Sequence, residues 1–209
     1  MSLHPWFSFI AATTVLLLIP GPTVLQCIGD SLANRNRQNW GTILGVGVGD
    51  TIAMSLSLLG AGALLKTSAA AFAIMKTIGG VYLLYLGFRA IREARITGNA
   101  VTPQPTKPES ALRRFSKTST ITMLNPKSIL FFVAFVPQFI SPHAPFFTQS
   151  AILLATFVSL AMLNAWFYMS LAGVLSNRLQ SRSAQKKVSY ATGGVLLTAG
   201  TLTLALKRR

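Results

Sequence analysis

Two short proline-containing stretches carry residue types that could bind a small charged molecule. They are Pro20-Gly21-Pro22 and Asn125-Pro126-Lys127, and each lies inside a long apolar segment. Proline lacks a backbone N–H and clashes with the preceding turn, so neither segment can form one continuous helix. Pro22 and Pro126 suit the first position of a new half-helix, and Asn125 suits the cap before it. Each break should then present free N–H groups and a positive helix end, which bind a carboxylate.

The breaks also have a simpler interpretation. Either one alone could equally be a proline kink whose freed backbone groups are satisfied by neighbouring helices. Two breaks at equivalent places favour a binding site, because discontinuous helices surround the substrate sites of many transporters. Lys127 follows the second break directly. It could neutralise a bound carboxylate, pair with Asp50, or extend to the headgroups at the membrane surface.

Asp50 is the one acidic residue in the second apolar segment. It follows Gly41, Gly45 and Gly49, whose spacing of four places them on one helix face. Such a small-residue face lets another helix approach closely, so Asp50 should lie in a packed interface rather than in lipid. A carboxylate there could hold a substrate ammonium group or carry a proton. The alternatives are a structural ion pair with an intramembrane lysine, or a position near the membrane surface.

The composition places these residues in a membrane. Of the 209 residues, 51% are hydrophobic and only 11% charged, and the mean hydropathy is +0.53. A soluble domain carries about 25% charged residues. The net charge of +15 is concentrated beside apolar runs, where cytoplasmic loops meet anionic headgroups. Because no soluble stretch could form a nucleic-acid-binding module, the chain is predicted to be a polytopic membrane protein that binds no nucleic acid.

Six transmembrane helices are predicted, arranged as a single transmembrane transporter domain over residues 1–209. Repeat one covers about 1–90, a cytoplasmic linker about 91–117 and repeat two about 118–209, and Asp30 to Asn39 form a polar link after the first span. The six spans run from about Trp6 to Ile28, Trp40 to Leu65, Ala69 to Phe88, Thr118 to Ile140, Phe147 to Leu175 and Val188 to Leu206.

The distribution of lysine and arginine predicts the orientation. The links after spans one, three and five contain thirteen of these residues, and the opposite face contains four. Since basic loops stay in the cytoplasm, both termini should lie outside. A weak internal repeat agrees: 76–84 at the third span resembles 190–197 at the sixth, and spans one and four both contain a break. Three spans per repeat force the two halves into opposite orientations.

Residue types needed for catalysis or cofactor binding are scarce. The chain has two histidines, His4 and His143, and a single cysteine, Cys27. No pattern of metal ligands and no phosphate-binding glycine loop with lysine is present, so we expect no cofactor and no enzyme activity. One cysteine also excludes an intramolecular disulfide.

Taken together in chain order, the motifs resemble the LysE/RhtB family of bacterial amino-acid exporters. They are Pro20-Gly21-Pro22, Gly49-Asp50, the stretch from Gly79 to Gly87, Asn125-Pro126-Lys127 and Pro137-Gln138-Phe139. The resemblance implies a six-helix inner-membrane exporter, driven by the proton gradient and often dimeric. It also implies a substrate site made of Pro20, Gly21, Pro22, Asp50, Asn125, Pro126 and Lys127.

Two details narrow the resemblance. Residues Pro137 to Ile140, followed by Pro142, are more similar to the homoserine and threonine branch than to the lysine branch. A related branch that moves reducing equivalents needs two membrane cysteines, and only Cys27 is present. The alternatives to an amino-acid exporter are a non-transporting membrane scaffold or assembly protein, a transporter of another small metabolite, and a channel, for which no filter motif is found.

Overall fold

The computed structural model describes residues 3–34, 39–67, 109–141, 143–172 and 182–205, together with isolated helical positions between 74 and 95. Every secondary-structure element in these ranges is a helix, which confirms the all-α class. The elements are α1 (Leu3–Leu18), α2 (Pro22–Ala33), α3 (Trp40–Thr67), α4 (Ala111–Met123), α5 (Pro126–Ala134), a short 3₁₀ helix (Val136–Phe139), α6 (Phe146–Ser170) and α7 (Arg182–Ala205).

Both predicted helix breaks are present. The chain bends by 56° between α1 and α2, and by 49° between α4 and the α5–3₁₀ segment. Pro22 and Pro126 each occupy the first turn of the helix that follows the break, where a missing N–H leaves no acceptor unpaired.

The length and composition of the described helices allow up to four membrane spans. Trp40–Gly60 and Phe146–Ser170 are long and apolar enough individually, and each bent pair adds one more if it is a single span. Most of the predicted third span, the repeat motif at 76–84 and the linker up to residue 108 lie outside the described residues. The count of six spans and the inverted repeat therefore stay predictions.

Two helices extend past the predicted limits of their spans. Asp30 belongs to α2 and is fully buried, so it does not start a polar link. Helix α4 begins at Ala111, seven residues before the predicted start of the fourth span, because Ser110 caps it by accepting a hydrogen bond from the Arg113 N–H. The last part of the predicted linker is thus helical, and its basic residues alternate between a buried and an exposed face.

The glycine face of α3 packs directly against α4, as its spacing predicts. A Cβ atom on Gly49 would lie 2.7 Å from the Ser119 carbonyl oxygen, and one on Gly45 would lie 2.8 Å from that of Phe115. Real side chains do not tolerate such distances to backbone atoms. The glycines therefore bring Asp50, which follows Gly49, into a packed interface, and Asp50 is only 3% exposed.

A second glycine contact joins α7 to described positions of the predicted third span. A Cβ on Gly87 would lie 2.9 Å from the Gly193 carbonyl oxygen, and one on Gly200 would lie 2.9 Å from that of Gly80. The two glycines of each segment are seven residues apart, and the earlier glycine of one segment meets the later glycine of the other. The two segments therefore run antiparallel where they touch.

Aromatic side chains fix the helix after the second break. The rings of Phe132 on α5 and Phe157 on α6 meet edge to face with centroids 4.7 Å apart, and both residues are fully buried. Phe9 of α1 contacts Phe139 of the 3₁₀ helix in the same way, at 5.4 Å. These contacts hold α1, α5 and α6 around the region where the two breaks meet.

Candidate functional site at the helix breaks

Carbonyl groups at the carboxyl end of α1 accept hydrogen bonds from the lysine that follows the second break. The Lys127 ammonium group donates hydrogen bonds to the carbonyl oxygens of Leu16 at 3.1 Å and Ile19 at 2.8 Å. A helix end carries partial negative charge on its last carbonyls, so a cation is the favoured partner. Lys127 therefore does not extend to the headgroups, which was one of the alternatives that the sequence left open.

Two side chains of α6 satisfy the remaining carbonyls of this helix end. Asn164 Nδ2 donates to the Leu17 carbonyl oxygen at 3.1 Å, and the Tyr168 hydroxyl donates to that of Leu18 at 2.7 Å. The carbonyls from Leu16 to Ile19 are thus all occupied by protein donors. A ligand bound at this break would find few acceptors left on the backbone.

The amino end of α2 is different, because nothing in the described residues caps it. Gly21 occupies the cap position and has no side chain that could accept a hydrogen bond from the first N–H groups of α2. A Cβ on Gly21 would lie 3.4 Å from the Lys127 Nζ atom. The positive helix end and the ammonium group are therefore adjacent, and together they form a site that favours an anion.

The second break is largely satisfied by its own residues. Asn125 Oδ1 accepts a hydrogen bond from the Lys127 N–H at 3.1 Å, which confirms Asn125 as the cap of α5. Asn125 Nδ2 donates to the Thr23 hydroxyl at 3.2 Å, and this bond joins the second break to the start of α2. One N–H group of α5 is already occupied, so this helix start is less open to a ligand than that of α2.

Asp50 supplies the opposite charge. Its carboxylate is buried, and Oδ1 has no hydrogen-bond partner among the described residues. Within the same part of the chain no ion pair joins Asp50 to Lys127, so the pairing considered from the sequence is not formed. An unpaired buried carboxylate is costly, which makes its oxygen a strong acceptor for an incoming donor.

Polar residues from both breaks line one small cavity between them. Its volume of about 30 Å³ has room for about two water molecules, which is less than an amino acid needs. The cavity is therefore too small to hold an amino acid in this conformation. Its polar lining consists of Thr23, Asp50, Asn125, Lys127, Ser128 and Asn164.

The structure brings together four of the seven residues expected in the site. Gly21, Asp50, Asn125 and Lys127 line the cavity, whereas Pro20, Pro22 and Pro126 shape the breaks without lining it. Lys76, another lysine within a predicted span, lies outside the described residues.

Asn164 and Thr23 are site residues that sequence reasoning missed. Asn164 could have been predicted, because it is a polar amide inside the apolar sequence of α6 and such groups seldom occur in a span without a partner. Thr23 carries no such sign, since its place depends on where α2 meets the second break.

The comparisons with known proteins agree with these features. The profile of the LysE type translocator family matches residues 14–208. A Vibrio cholerae membrane protein is 31% identical over 99% of this chain and 100% of its own length. The homoserine/homoserine lactone efflux protein of Salmonella typhi is 30% identical over 97% of both chains.

A third relative is more distant, and solved structures add nothing. The leucine efflux protein of Salmonella choleraesuis is 27% identical over 96% of this chain and 94% of its own length. No solved structure is significantly similar to the chain. On the match over nearly its whole length, the chain belongs to the LysE family of translocators, and it is a membrane transport protein rather than an enzyme.

Proposed function

We propose that the protein exports amino acids or close derivatives, neutral ones such as homoserine or threonine in particular, across the bacterial inner membrane. The family and the names of two relatives, which refer to homoserine, homoserine lactone and leucine efflux, support an amino-acid exporter. The multi-pass topology, with both termini outside, and the arrangement as two inverted three-helix repeats belong to the same proposal.

One observation carries the proposal: the buried Asp50 Oδ1 atom has no partner in the described residues and shares its cavity with Lys127. An amino acid has a carboxylate and an ammonium group on the same carbon. Its carboxylate would bind the start of α2 beside Lys127, and its ammonium group would bind Asp50. Two separate anchors of opposite charge favour a zwitterion over a simple anion.

The same carboxylate is the proposed carrier of the proton. Asp50 takes up a proton when the substrate ammonium group leaves, so the proton gradient drives export by antiport. The residues that line the cavity come from both halves of the chain, and relative movement of the halves would open it to either side. The partners of the protein are then its substrate, protons and the lipid bilayer, with assembly into a homodimer as a further part of the proposal.

The alternatives differ in what they require of Asp50. A membrane scaffold uses its helices for packing only and would tolerate loss of the charge, and membership of a translocator family disfavours it. A transporter of another small metabolite would need the site but would not move amino acids. A channel would not depend on the proton gradient.

The test is efflux of labelled amino acids from cells loaded through dipeptides, with homoserine, threonine and leucine as probes, with and without an uncoupler. Wild-type export that stops with the uncoupler and in the Asp50→Asn and Lys127→Ala proteins supports the proposal. The matched control is Lys117→Ala, because Lys117 lies outside the cavity and pairs with Glu109 at 3.8 Å. Normal export by inserted Asp50→Asn protein would show that the assignment is wrong.

A further inference from the structure

Arg114 on α4 is buried, and two of its three guanidinium nitrogens have no hydrogen-bond partner in the described residues. It is only 4% exposed, and its Nε and Nη1 atoms have no hydrogen-bond acceptor in the described part of the chain. Its neighbour Arg113 is the ordinary case, with a side chain that is 77% exposed and lies 3.6 Å from Glu109. A buried guanidinium with unused donors is unfavourable, and a carboxylate would relieve the cost by accepting two hydrogen bonds.

The face of α4 that carries Arg114 leads to the cavity. Thr118 and Thr122 follow at intervals of four, so the three side chains lie on one side of the helix, and all three are buried. Thr122 sits between two helices: it packs on Gly49 of α3 and donates a hydrogen bond to Thr23 of α2 at 3.4 Å. Arg114 thus lies about 12 Å further along this groove, two turns away from the break.

The opposite wall of the groove carries an acid at a matching depth. Asp30 lies seven residues after Thr23, or about 10 Å from the break, and α2 runs antiparallel to α4. It is fully buried and accepts hydrogen bonds from Gln26 and from Thr42 of α3, both at 2.9 Å. Asp30 and Arg114 therefore repeat the combination of acid and base that Asp50 and Lys127 form at the cavity.

We infer that Arg114 is a second carboxylate-binding residue, which receives the amino acid at the cytoplasmic end of the groove before it moves to the cavity. This inference rests on the proposed function and extends it. The groove between α2, α3 and α4 is closed in this conformation, so the site forms when these helices separate. Thr118, whose hydroxyl has no partner in the described residues, lies one turn further along and provides a polar step toward the break.

An anionic lipid phosphate offers the same oxygens as a substrate carboxylate. The experiment therefore uses purified protein in vesicles of phosphatidylcholine alone and in vesicles that also contain phosphatidylglycerol. Homoserine, threonine and leucine are the probes, each compared with its amide, which keeps the ammonium group and lacks the carboxylate. The variants are Arg114→Gln and Arg114→Lys. The control is Arg113→Gln, which removes the same single positive charge from the exposed face of α4.

The expected result is a change in KM that depends on the carboxylate. Arg114→Gln raises KM for the exported amino acid by about tenfold to a hundredfold, the range for a lost charge-assisted hydrogen bond, and leaves kcat and the KM of the amide unchanged. Arg114→Lys gives a smaller increase in KM, and Arg113→Gln gives none. If Arg114→Gln fails to insert, the comparison of amino acid and amide in the Arg114→Lys protein provides the same test.

Several outcomes overturn the inference while the proposed function stands. The first is an unchanged KM in both Arg114 variants. The second is an equal change in KM for the amino acid and its amide, which indicates a structural role of Arg114. The third is a change in KM that is seen only in vesicles with phosphatidylglycerol, which shows that Arg114 binds lipid. If the wild-type protein moves none of the amino acids, the proposed function is wrong and the inference is overturned with it.

Discussion

The Nζ atom of Lys127 lies 2.8 Å from the carbonyl oxygen of Ile19, although 108 positions separate the two residues in the chain. The lysine that follows the second break thereby neutralises the helix end created by the first. Among the described residues, the Oδ1 atom of Asp50 has no hydrogen-bond partner in the same cavity. Under the proposed function, the two helix breaks together form one site, which binds a carboxylate at the start of α2 and an ammonium group at Asp50.

Replacing Lys127 should reduce both stability and transport. In Lys127→Met the carbonyls of Leu16 and Ile19 lose their donor, and each unsatisfied buried group costs about 1–3 kcal/mol. The unfolding temperature of the purified protein in detergent should fall, at about 2–4 °C per kcal/mol for a chain of this size. Lys117→Met is the control and should change neither quantity. An unchanged unfolding temperature in Lys127→Met would contradict the hydrogen bonds described here.

The hydroxyl of Tyr168 should contribute to stability by itself. Tyr168→Phe keeps the ring and removes the donor to the Leu18 carbonyl, so a loss of about 1–3 kcal/mol is expected. Tyr190 is 43% exposed, and Tyr190→Phe should have no effect within about 0.5 kcal/mol. The measurement is thermal unfolding of both proteins beside the wild type. Equal unfolding temperatures for all three would show that the tyrosine only packs.

Sequence reasoning found the breaks and Asp50 because their chemistry is local. Proline ends a helix wherever it stands, and glycines at intervals of four mark a close contact whatever the partner. It did not predict the hydrogen bond of Tyr168, which is 8% exposed and donates to a carbonyl oxygen 150 positions away. Which carbonyl needs a donor depends on the meeting of α1 and α6, and no local pattern records that.

Helices α2 and α4 extend past their predicted limits for the same physical reason. Charged residues were treated as the limits of spans, but Asp30 and Arg114 are charged residues on buried helix faces. Asp30 is accommodated by Gln26 and Thr42, one from its own helix and one from α3. Hydropathy alone cannot distinguish such a satisfied polar face from the end of a helix.

The α3–α4 contact should not tolerate a side chain at Gly49. Gly49→Ala places a Cβ 2.7 Å from both the Ser119 carbonyl oxygen and Thr122 Cβ, so the helices must separate, at a cost of about 1–3 kcal/mol. Gly60 lies on the same helix with nothing within 4 Å of an added Cβ. Gly60→Ala should therefore be neutral or slightly stabilising. Thermal unfolding and the yield of monodisperse protein compare the two, and equal behaviour would contradict the close contact.

Asp50→Asn should separate transport from folding. The substitution keeps the shape of a side chain that has an unpartnered oxygen, so the unfolding temperature should not fall. Export should decrease by about thirtyfold or more, which corresponds to loss of a buried charge partner at about 2 kcal/mol. The two measurements are made on the same preparation. A large fall in the unfolding temperature would instead assign Asp50 a structural role.

Cys27 should report opening of the cavity. It is the only cysteine of the chain, lines the cavity and is 1% exposed. A permeant maleimide should therefore react with the wild type far more slowly than with a Cys27→Ser protein that carries Ser116→Cys on the exposed face of α4. Addition of a transported amino acid and a proton gradient should change the rate at Cys27 only. A fast reaction without substrate would contradict the closed cavity.

The division of the cavity lining has a consequence for how the chain must be assembled. Gly21 and Asp50 precede the linker, while Asn125, Lys127 and Asn164 follow it, so neither segment contains the whole lining of the cavity. Two fragments cut between residues 95 and 109 would each lack a functional pocket, and activity would return only by complementation, when the fragments associate in one membrane. The choice of ligand therefore depends on how the two halves pack together and not on either half alone.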